Sequence, residues 1–203
     1  MSTTRLESFS DGVLAVAITL LVLDITVPDT EHLAHELGRQ WTHYAAYVVS
    51  FTTIGIIWIN HHVMIGRLRE TDHSILMLNL MLLMAIAAIP FATALLAEYL
   101  NRSSGQHVAA AVYGGVFLAM AAGFTAVQGQ IMFRRSHLMK VELPYATRRL
   151  IFRRTVLGLV PYLVATALAA VSAYATLAIA GALALYYAFP VAAGLGLDEH
   201  QGG

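Results

Sequence analysis

Six long hydrophobic stretches, separated by shorter polar segments, run through the 203 residues of the chain. A helix needs about 20 mostly apolar residues to cross a bilayer, and each stretch meets that length. The pattern predicts six transmembrane helices over residues 8–27, 43–66, 74–98, 107–133, 153–172 and 174–195. We expect the first to end at Pro28, because proline cannot continue a helix. The turn between the fifth and sixth should fall at residues 172–174.

Composition agrees with this pattern and excludes several classes of protein. Hydrophobic residues make up 58% of the chain, charged residues only 12%, and the mean hydropathy is +0.68. These values exclude a soluble enzyme domain, a disordered chain and a collagen-like fibre. The longest polar loops, 28–42 and 134–152, are too short for an aqueous domain, although the first can hold one or two short interfacial helices. We therefore expect an all-α membrane protein forming one domain over residues 1–203.

Charge and cysteine content narrow the chemistry further. The net charge is zero, which gives no reason to expect a nucleic-acid partner. The chain has no cysteine, which excludes disulfides and thiolate metal sites. We expect no cofactor, and we do not expect an enzyme, because the only cluster of chemically reactive side chains lacks a clear nucleophile.

The basic residues predict the orientation in the membrane, because cytoplasmic loops carry an excess of lysine and arginine. One side of the predicted bundle has only Arg39 and Arg102. Both termini should therefore be cytoplasmic, in a cell membrane. The basic residues on the other side are Arg5, Arg67, Arg69, Arg134, Arg135, Lys140, Arg148, Arg149, Arg153 and Arg154.

Polar side chains gather at the predicted cytoplasmic ends of the first three spans. A charge at the hydrocarbon boundary is costly, so we expect Asp11 to have a partner inside the protein. Two interpretations stay open: a buried polar network that pins the helix ends together, or gating and proton sensing by His61, His62 or His73. Adjacent histidines on a helix point about 100° apart and rarely share an ion, so no metal is expected. The gathered residues are Arg5, Asp11, Trp58, Asn60, His61, His62, Asp72, His73 and Asn79.

The first span has two different faces. At about 100° per residue, one stripe carries Phe9, Gly12, Val16, Leu20 and Leu23, with a threonine hydroxyl, that of Thr19, at its edge. Ser10 and Asp11 point away from it. By itself such a stripe indicates only that the helix faces lipid or another helix.

Small residues recur every four positions in the fourth span, at Ala111, Gly115, Ala119 and Gly123. This spacing is typical of helices that pack closely in membranes. We expect this face of the span to contact a neighbouring helix.

The start of the chain resembles a known family. Arg5, Phe9, Ser10 and Asp11, placed at the head of the first of six spans, resemble the signature of the transmembrane protein 175 family. These are potassium-permeable channels of endosomes and lysosomes, with prokaryotic homologues. Spans four to six match only in hydropathy. Further matching positions in the second and third spans are Trp58, His61, His62, Asp72, Leu78, Asn79, Leu80, Pro90 and Phe91.

The resemblance implies a homotetramer in which the first helix of each subunit lines a central pore. It places a hydrophobic filter at Val16, Leu20 and Leu23 and a hydroxyl ring at Thr19, which are also stripe positions. The family has isoleucine or leucine where this chain has the smaller Val16, so the seal moves towards Leu20 and Leu23 or the pore is wider there. The expected function is passive conduction of cations, potassium above others, through a lipid bilayer.

The predicted outer side is acidic, which would raise the local concentration of cations. Asp24 is the best candidate for a cation-attracting ring, and ordinary solvation of loop carboxylates is the alternative. The acids on this side are Asp24, Asp29, Glu31, Glu36 and Glu98.

Two other classes of membrane protein stay open as alternatives. Pro90, Pro161 and Pro190 can kink helices, as in a proton- or cation-coupled secondary transporter, but the chain shows no clear internal repeat and no carboxylate in the middle of a span. A non-conducting scaffold is the other alternative.

Overall fold

The computed structural model of the chain describes residues 3–29 and 31–188. Those residues form helices, turns and loops, and the only β pairing among them is an antiparallel bridge between Leu68 and Met139. The helices are α1 (Thr3–Leu20), α2 (Leu33–Arg39), α3 (Trp41–Gly66), α4 (His73–Ala87), α5 (Ile89–Tyr99), α6 (Gln106–Gly129), α7 (Tyr145–Leu157), α8 (Leu159–Leu168) and α9 (Ala173–Ala188).

Five helical segments are long and apolar enough to cross a membrane. They are Thr3–Asp24, Trp41–Gly66, His73–Tyr99, Gln106–Arg134 and Tyr145–Leu168. The prediction of an all-α, multi-pass membrane protein is thus confirmed. The apolar part of α9, Ala173–Tyr187, is shorter, and residues 189–195 of the predicted sixth span lie outside the described residues. The sixth crossing stays a prediction.

Two predicted spans are each built from two helices. The third changes direction at Ala88, where Pro90 occupies the first turn of α5. The fifth is divided at Gly158, three residues before Pro161. Proline has no N–H to donate to the preceding turn, so helix breaks are expected at both places.

The ends of two spans differ from the prediction. The first α-helix ends at Leu20 and continues as a 3₁₀ turn over Leu21–Asp24, well before Pro28. The next residues, 25–27, are all β-branched, and their stiff side chains disfavour a helix. Residues 145–152, predicted as loop, belong to α7. Arginine is a good helix former, so this helix starts in the polar segment and continues into the apolar one.

Helix α6 packs against α4, α5, α8 and α9, and its close contacts differ from the predicted ones. A Cβ atom on Gly114 would lie 2.8 Å from the Thr166 hydroxyl oxygen, and one on Gly123 would lie 3.2 Å from the Leu82 Cα atom. Around Gly115, in contrast, there is open space. Of the predicted stripe, Gly123 is thus in close contact within the subunit, whereas Ala111 and Ala119 are exposed and Gly114 is packed in place of its neighbour Gly115.

A buried group of hydroxyls connects three helices inside the bundle. The Ser50 Oγ atom lies 2.8 Å from Thr93 Oγ1 and 3.2 Å from Tyr113 Oη, and the Thr93 hydroxyl donates to the carbonyl oxygen of Ile89. Because each hydroxyl has a partner, α3, α5 and α6 are joined without leaving an unsatisfied polar group. This packing holds α3 in the position where it contacts α1.

Candidate pore-lining helix and its two polar ends

The predicted aliphatic stripe of α1 is its exposed face. The opposite face is buried against α3 and α4 and carries Leu6, Ser10, Leu14 and Ala17. The other described residues of the subunit leave the stripe uncovered. The exposed fractions of its large side chains are 55% for Phe9, 58% for Val16, 44% for Leu20 and 72% for Leu23.

An apolar groove follows this exposed face. Seven of its lining residues belong to α1, and the eighth is Ala87, the last residue of α4 before the helix break. A Cβ atom on Gly12 would meet nothing within 4 Å, so the groove is open at that position. Its wall on α1 consists of Ser8, Phe9, Gly12, Val13, Val16, Ala17 and Leu20.

Thr19 directs its hydroxyl hydrogen back to its own helix. The Oγ1 atom lies 3.0 Å from the carbonyl oxygen of Ala15 and 2.9 Å from that of Val16. A hydroxyl has one hydrogen and two acceptor lone pairs. With the hydrogen used on the backbone, the oxygen of this exposed residue can accept a hydrogen bond or contact a cation.

At the end of α1 near its N-terminus, three side chains from three helices form a buried chain of hydrogen bonds. The Asn79 amide donates to Ser10 Oγ at 3.0 Å, and its Oδ1 atom lies 2.7 Å from His61 Nε2. Because an amide oxygen only accepts, His61 Nε2 carries the hydrogen. All three residues are at most 1% exposed. We call Ser10, His61 and Asn79 the inner cluster.

Asp11 and Trp58 meet at the rim of the inner cluster. The Trp58 indole donates through Nε1 to the Asp11 Oδ1 atom at 3.0 Å. The expected partner of Asp11 inside the protein is thus a neutral indole on α3. Arg5 is exposed, and the structure shows no ion pair from it to another described residue. Arg5 and Asp11 are six residues apart on one helix and point in different directions, and the structure shows no hydrogen bond or ion pair that joins Arg5 to the described polar residues near Asp11.

Asp72 is used differently from the prediction, which brought it together with Arg5 and Asp11. Its carboxylate caps α4 by accepting from the Ile75 backbone N–H at 2.9 Å, and it forms an ion pair with Arg135. These interactions, the Ile75 bond first, hold the pKa of Asp72 below its ordinary value. His62 and His73 are exposed and lie outside the inner cluster.

A polar cluster that we did not predict lies at the other end of the α1 segment, where the 3₁₀ turn ends at Asp24. The Asp24 Oδ2 atom lies 2.8 Å from His43 Nδ1, and His43 Nε2 lies 3.8 Å from Glu98 Oε2. Glu98 also forms an ion pair with Arg102. We call Asp24, His43, Glu98 and Arg102 the outer cluster. Its signal in the sequence was a histidine at the start of the second span, at the same predicted depth as the acidic residues.

Comparison with known proteins supports the resemblance of the first spans. The family model described as endosomal/lysosomal potassium channel TMEM175 matches residues 5–90, from the start of α1 into α5. A potassium channel of Streptomyces collinus is 48% identical over 188 residues, covering 91% of each chain. The chain belongs to the TMEM175 family. This is a family of ion channels and not of enzymes.

A solved TMEM175 structure has the same fold. The crystal structure of a lysosomal potassium-selective channel TMEM175 homolog from Chamaesiphon minutus superposes with a TM-score of 0.81 at 38% identity, covering 92% of this chain and 96% of that one. An animal relative, the endosomal/lysosomal proton channel TMEM175 of Bos taurus, is 35% identical over 103 residues, covering 45% of this chain and 22% of its own length. The all-helical fold thus extends along most of the chain, beyond the residues matched by the family model.

Proposed function

We propose that this TMEM175 protein is a potassium-favouring cation channel of the cell membrane, in which α1 helices from four copies of the chain surround a central pore. The observation that carries the proposal is the exposed aliphatic face of α1, which the described residues of its own subunit leave uncovered. Membership of a channel family supports conduction, and the name of the Chamaesiphon protein supports potassium as the favoured ion. The proposed orientation has six crossings and both termini in the cytoplasm.

The narrowest part of the pore is proposed to be a hydrophobic filter at Val16, Leu20 and Leu23. Four copies of each side chain around one axis make apolar rings, which lose water easily and then form a barrier to hydrated ions. Leu20 and Leu23 form the tighter seal, because Val16 is smaller. Opening requires a tilt or rotation of α1 that widens the rings.

Thr19 supplies the proposed oxygen ligands within this apolar region. Its hydrogen is directed to the backbone, so four hydroxyl oxygens present lone pairs to a passing cation. A cation that sheds part of its water at Leu20 regains an oxygen contact one residue earlier. Partial dehydration combined with these oxygens favours potassium, which holds its water less tightly than sodium.

The groove beside α1 supports assembly of several copies. It is apolar and open at Gly12, where an approaching helix meets no side chain. A second α1 helix complements it, since its own exposed face is aliphatic. This contact lets neighbouring α1 helices lie side by side around the axis, with Phe9 and Val16 between them.

Recording from purified protein in a lipid bilayer under bi-ionic potassium and sodium conditions tests the proposal. We expect single-channel currents whose reversal potential shows a preference for potassium over sodium. We also expect a larger leak current in Leu20→Ala or Leu23→Ala. Leu163→Ala is the matched control, because this leucine is 54% exposed, between Leu20 at 44% and Leu23 at 72%, but lies on α8. Unchanged currents in both filter variants would contradict the proposed filter.

The same recordings separate the remaining alternatives. Substrate-dependent uptake without single-channel currents would replace the channel with a transporter. Recording under a pH gradient across the bilayer measures the proton current separately. This measurement is needed because the animal relative is named a proton channel. Absence of any flux would leave a non-conducting scaffold.

A further inference from the structure

His43 lies between two carboxylates that belong to two other elements. Its Nδ1 atom contacts Asp24 on the 3₁₀ turn that ends the α1 segment, and its Nε2 atom faces Glu98 on α5. The imidazole is largely enclosed, with 18% of the side chain exposed. Asp24 directly follows Leu23, the most exposed residue of the stripe. One histidine therefore connects the outer end of the proposed pore helix to both α3 and α5.

The charge of the outer cluster depends on this imidazole. With a neutral His43, the two carboxylates and Arg102 leave one net negative charge; with a protonated His43 the cluster is neutral. Histidine is the side chain whose charge ordinarily changes between pH 5 and 8. The segment between Asp24 and α3 also carries Asp29, Glu31, His32 and His35. Other charged or titratable groups at this end include the Glu36–Arg39 ion pair on α2, the phenol of Tyr99 under the Arg102 guanidinium, and His107, whose Nδ1 atom lies 2.8 Å from the Ala169 carbonyl oxygen.

We propose that His43 is a positioning residue for conduction: it holds the Asp24 carboxylate at the outer mouth, and its protonation removes one negative charge per subunit from that mouth. This proposal rests on the proposed channel function. In a tetramer the change amounts to four charges around one opening. A negative mouth concentrates cations, so protonation lowers the supply of potassium ions to the pore.

The effect has a defined dependence on pH and salt. The Debye length is about 30 Å at 0.01 M and about 3 Å at 1 M ionic strength. At low salt, raising the outer pH from 5 to 8 should increase the unitary potassium conductance roughly two-fold or more. At 1 M salt the same change of pH should have almost no effect, because mobile ions then screen the charge of the mouth.

His43→Gln is the test variant, because its amide can still donate to Asp24 but does not titrate in this range. We expect a conductance that stays high at both pH values. His35→Gln is the matched control: it removes an exposed histidine of α2 at the same end, for which the structure shows no carboxylate contact among the described residues. The control should keep the full increase in conductance from pH 5 to pH 8. Each pH change is applied to one side of the bilayer at a time, and only the side facing His43 should respond.

A pH step that persists in His43→Gln, or a wild-type conductance that is flat between pH 5 and 8 at low salt, would overturn the proposal. A step of equal size at 1 M salt would also overturn it, because charge at the mouth could not then be the cause.

Infrared difference spectra between pH 8 and pH 5, on the purified chain in lipid, give a readout that needs no current. The chain has nine histidines, so the signal of His43 is the part of the imidazole bands that is present in wild type and missing in His43→Gln. The signal of Asp24 is the part of the carboxylate shift that is missing in Asp24→Asn. Bands without current would uphold the link between His43 and Asp24 while refuting the channel. Currents without these bands would uphold the channel and refute the role of His43.

Discussion

The two ends of the α1 segment each depend on a histidine from α3, but the two histidines have opposite surroundings. His61 in the inner cluster is almost fully buried and bonds to a neutral amide that in turn bonds to Ser10. His43 in the outer cluster is partly exposed and lies between two carboxylates. Adding a proton to His61 would bury an unpaired charge, whereas adding one to His43 completes an ion pair.

This difference assigns different roles to the two ends. The inner cluster fixes α1 to α3 and α4 through neutral hydrogen bonds whose strength does not depend on pH. The outer cluster joins α1, α3 and α5 through an imidazole between two carboxylates, so its net charge follows the protonation state of His43. In the proposed channel, α1 is anchored at one end and responds to pH at the other. For His61, we propose the first of the two roles that the sequence left open, a structural network, because it lies in the buried hydrogen-bond chain with Asn79 and Ser10.

The largest expected effect comes from removing the centre of the inner cluster. Asn79→Leu deletes two hydrogen bonds and leaves Ser10 and His61 buried without partners, which should lower the free energy of unfolding by about 1–3 kcal/mol. Thermal or denaturant unfolding of the purified protein in detergent measures it. Asn60→Leu is the control, since Asn60 is exposed and bonds only to the Ile56 carbonyl oxygen of its own helix. Equal stability of the two variants would show that the inner cluster does not anchor α1.

A smaller effect should follow from changing Asp72 at the rim of the inner end. Asp72→Ala removes both the cap of α4 and the ion pair with Arg135, and should cost about 1 kcal/mol. Asp72→Asn keeps a capping oxygen and should cost less. Because the native pKa of Asp72 lies below its ordinary value of 3.8, the charged form stabilises the fold above that value and the stabilisation disappears as the pH falls through the native pKa.

The measurement for Asp72 is unfolding as a function of pH. Below about pH 4 the stability of wild type should fall more steeply than that of Asp72→Asn. Between pH 5 and 8 the difference in stability between the two proteins should stay constant. Glu70→Gln is the control, because Glu70 pairs with the exposed Arg69. A change at pH 5–8 in Asp72→Asn would remove the distinction between a pH-insensitive inner end and a pH-sensitive outer end.

The smallest expected effect concerns the single hydrogen bond from Trp58 to Asp11. Trp58→Phe keeps an aromatic ring but deletes the Nε1–H donor, and should cost about 0.5 kcal/mol, because the pair is solvent-accessible. Trp41→Phe is the control at the other end: Trp41 stacks on Tyr174, and the structure shows no hydrogen bond from its indole to a described residue. A loss above that of Asn79→Leu would contradict the ranking, and would make the rim rather than the inner cluster the anchor.

The sequence predicted the helices and the two faces of α1 well, because both follow from the spacing of apolar residues along one helix. The exposed stripe from Phe9 to Leu23 and the buried position of Ser10 are properties of one helix read at 100° per residue. His61 and Asn79 were among the polar residues expected at one end of the spans, whereas Ser10 entered the sequence analysis only through the signature and as a residue pointing away from the stripe.

What the sequence did not predict depends on contacts between distant segments. Asp72 was placed with Arg5 and Asp11, but Arg135, 63 residues away, is its partner. His43 was missed, because its role requires α1, α3 and α5 to meet at one end. The early start of α7 was missed because hydropathy identifies only the apolar part of a helix. The polar first turns of α7 precede that part. Helix α6 packs closely at Gly114 and not at Gly115. A regular four-residue spacing of small residues therefore does not decide which face of a helix packs.

Labelling of single cysteines tests most directly whether α1 lines the pore, and the chain offers a clean background, because it contains no cysteine. We expect a small cationic thiol reagent, applied from the outer side during recording, to block the potassium current of Leu23→Cys. Leu163→Cys on α8 should conduct unchanged after the same treatment. A Leu23→Cys channel that conducts normally and stays unblocked, or equal block in both variants, would contradict a pore built around α1.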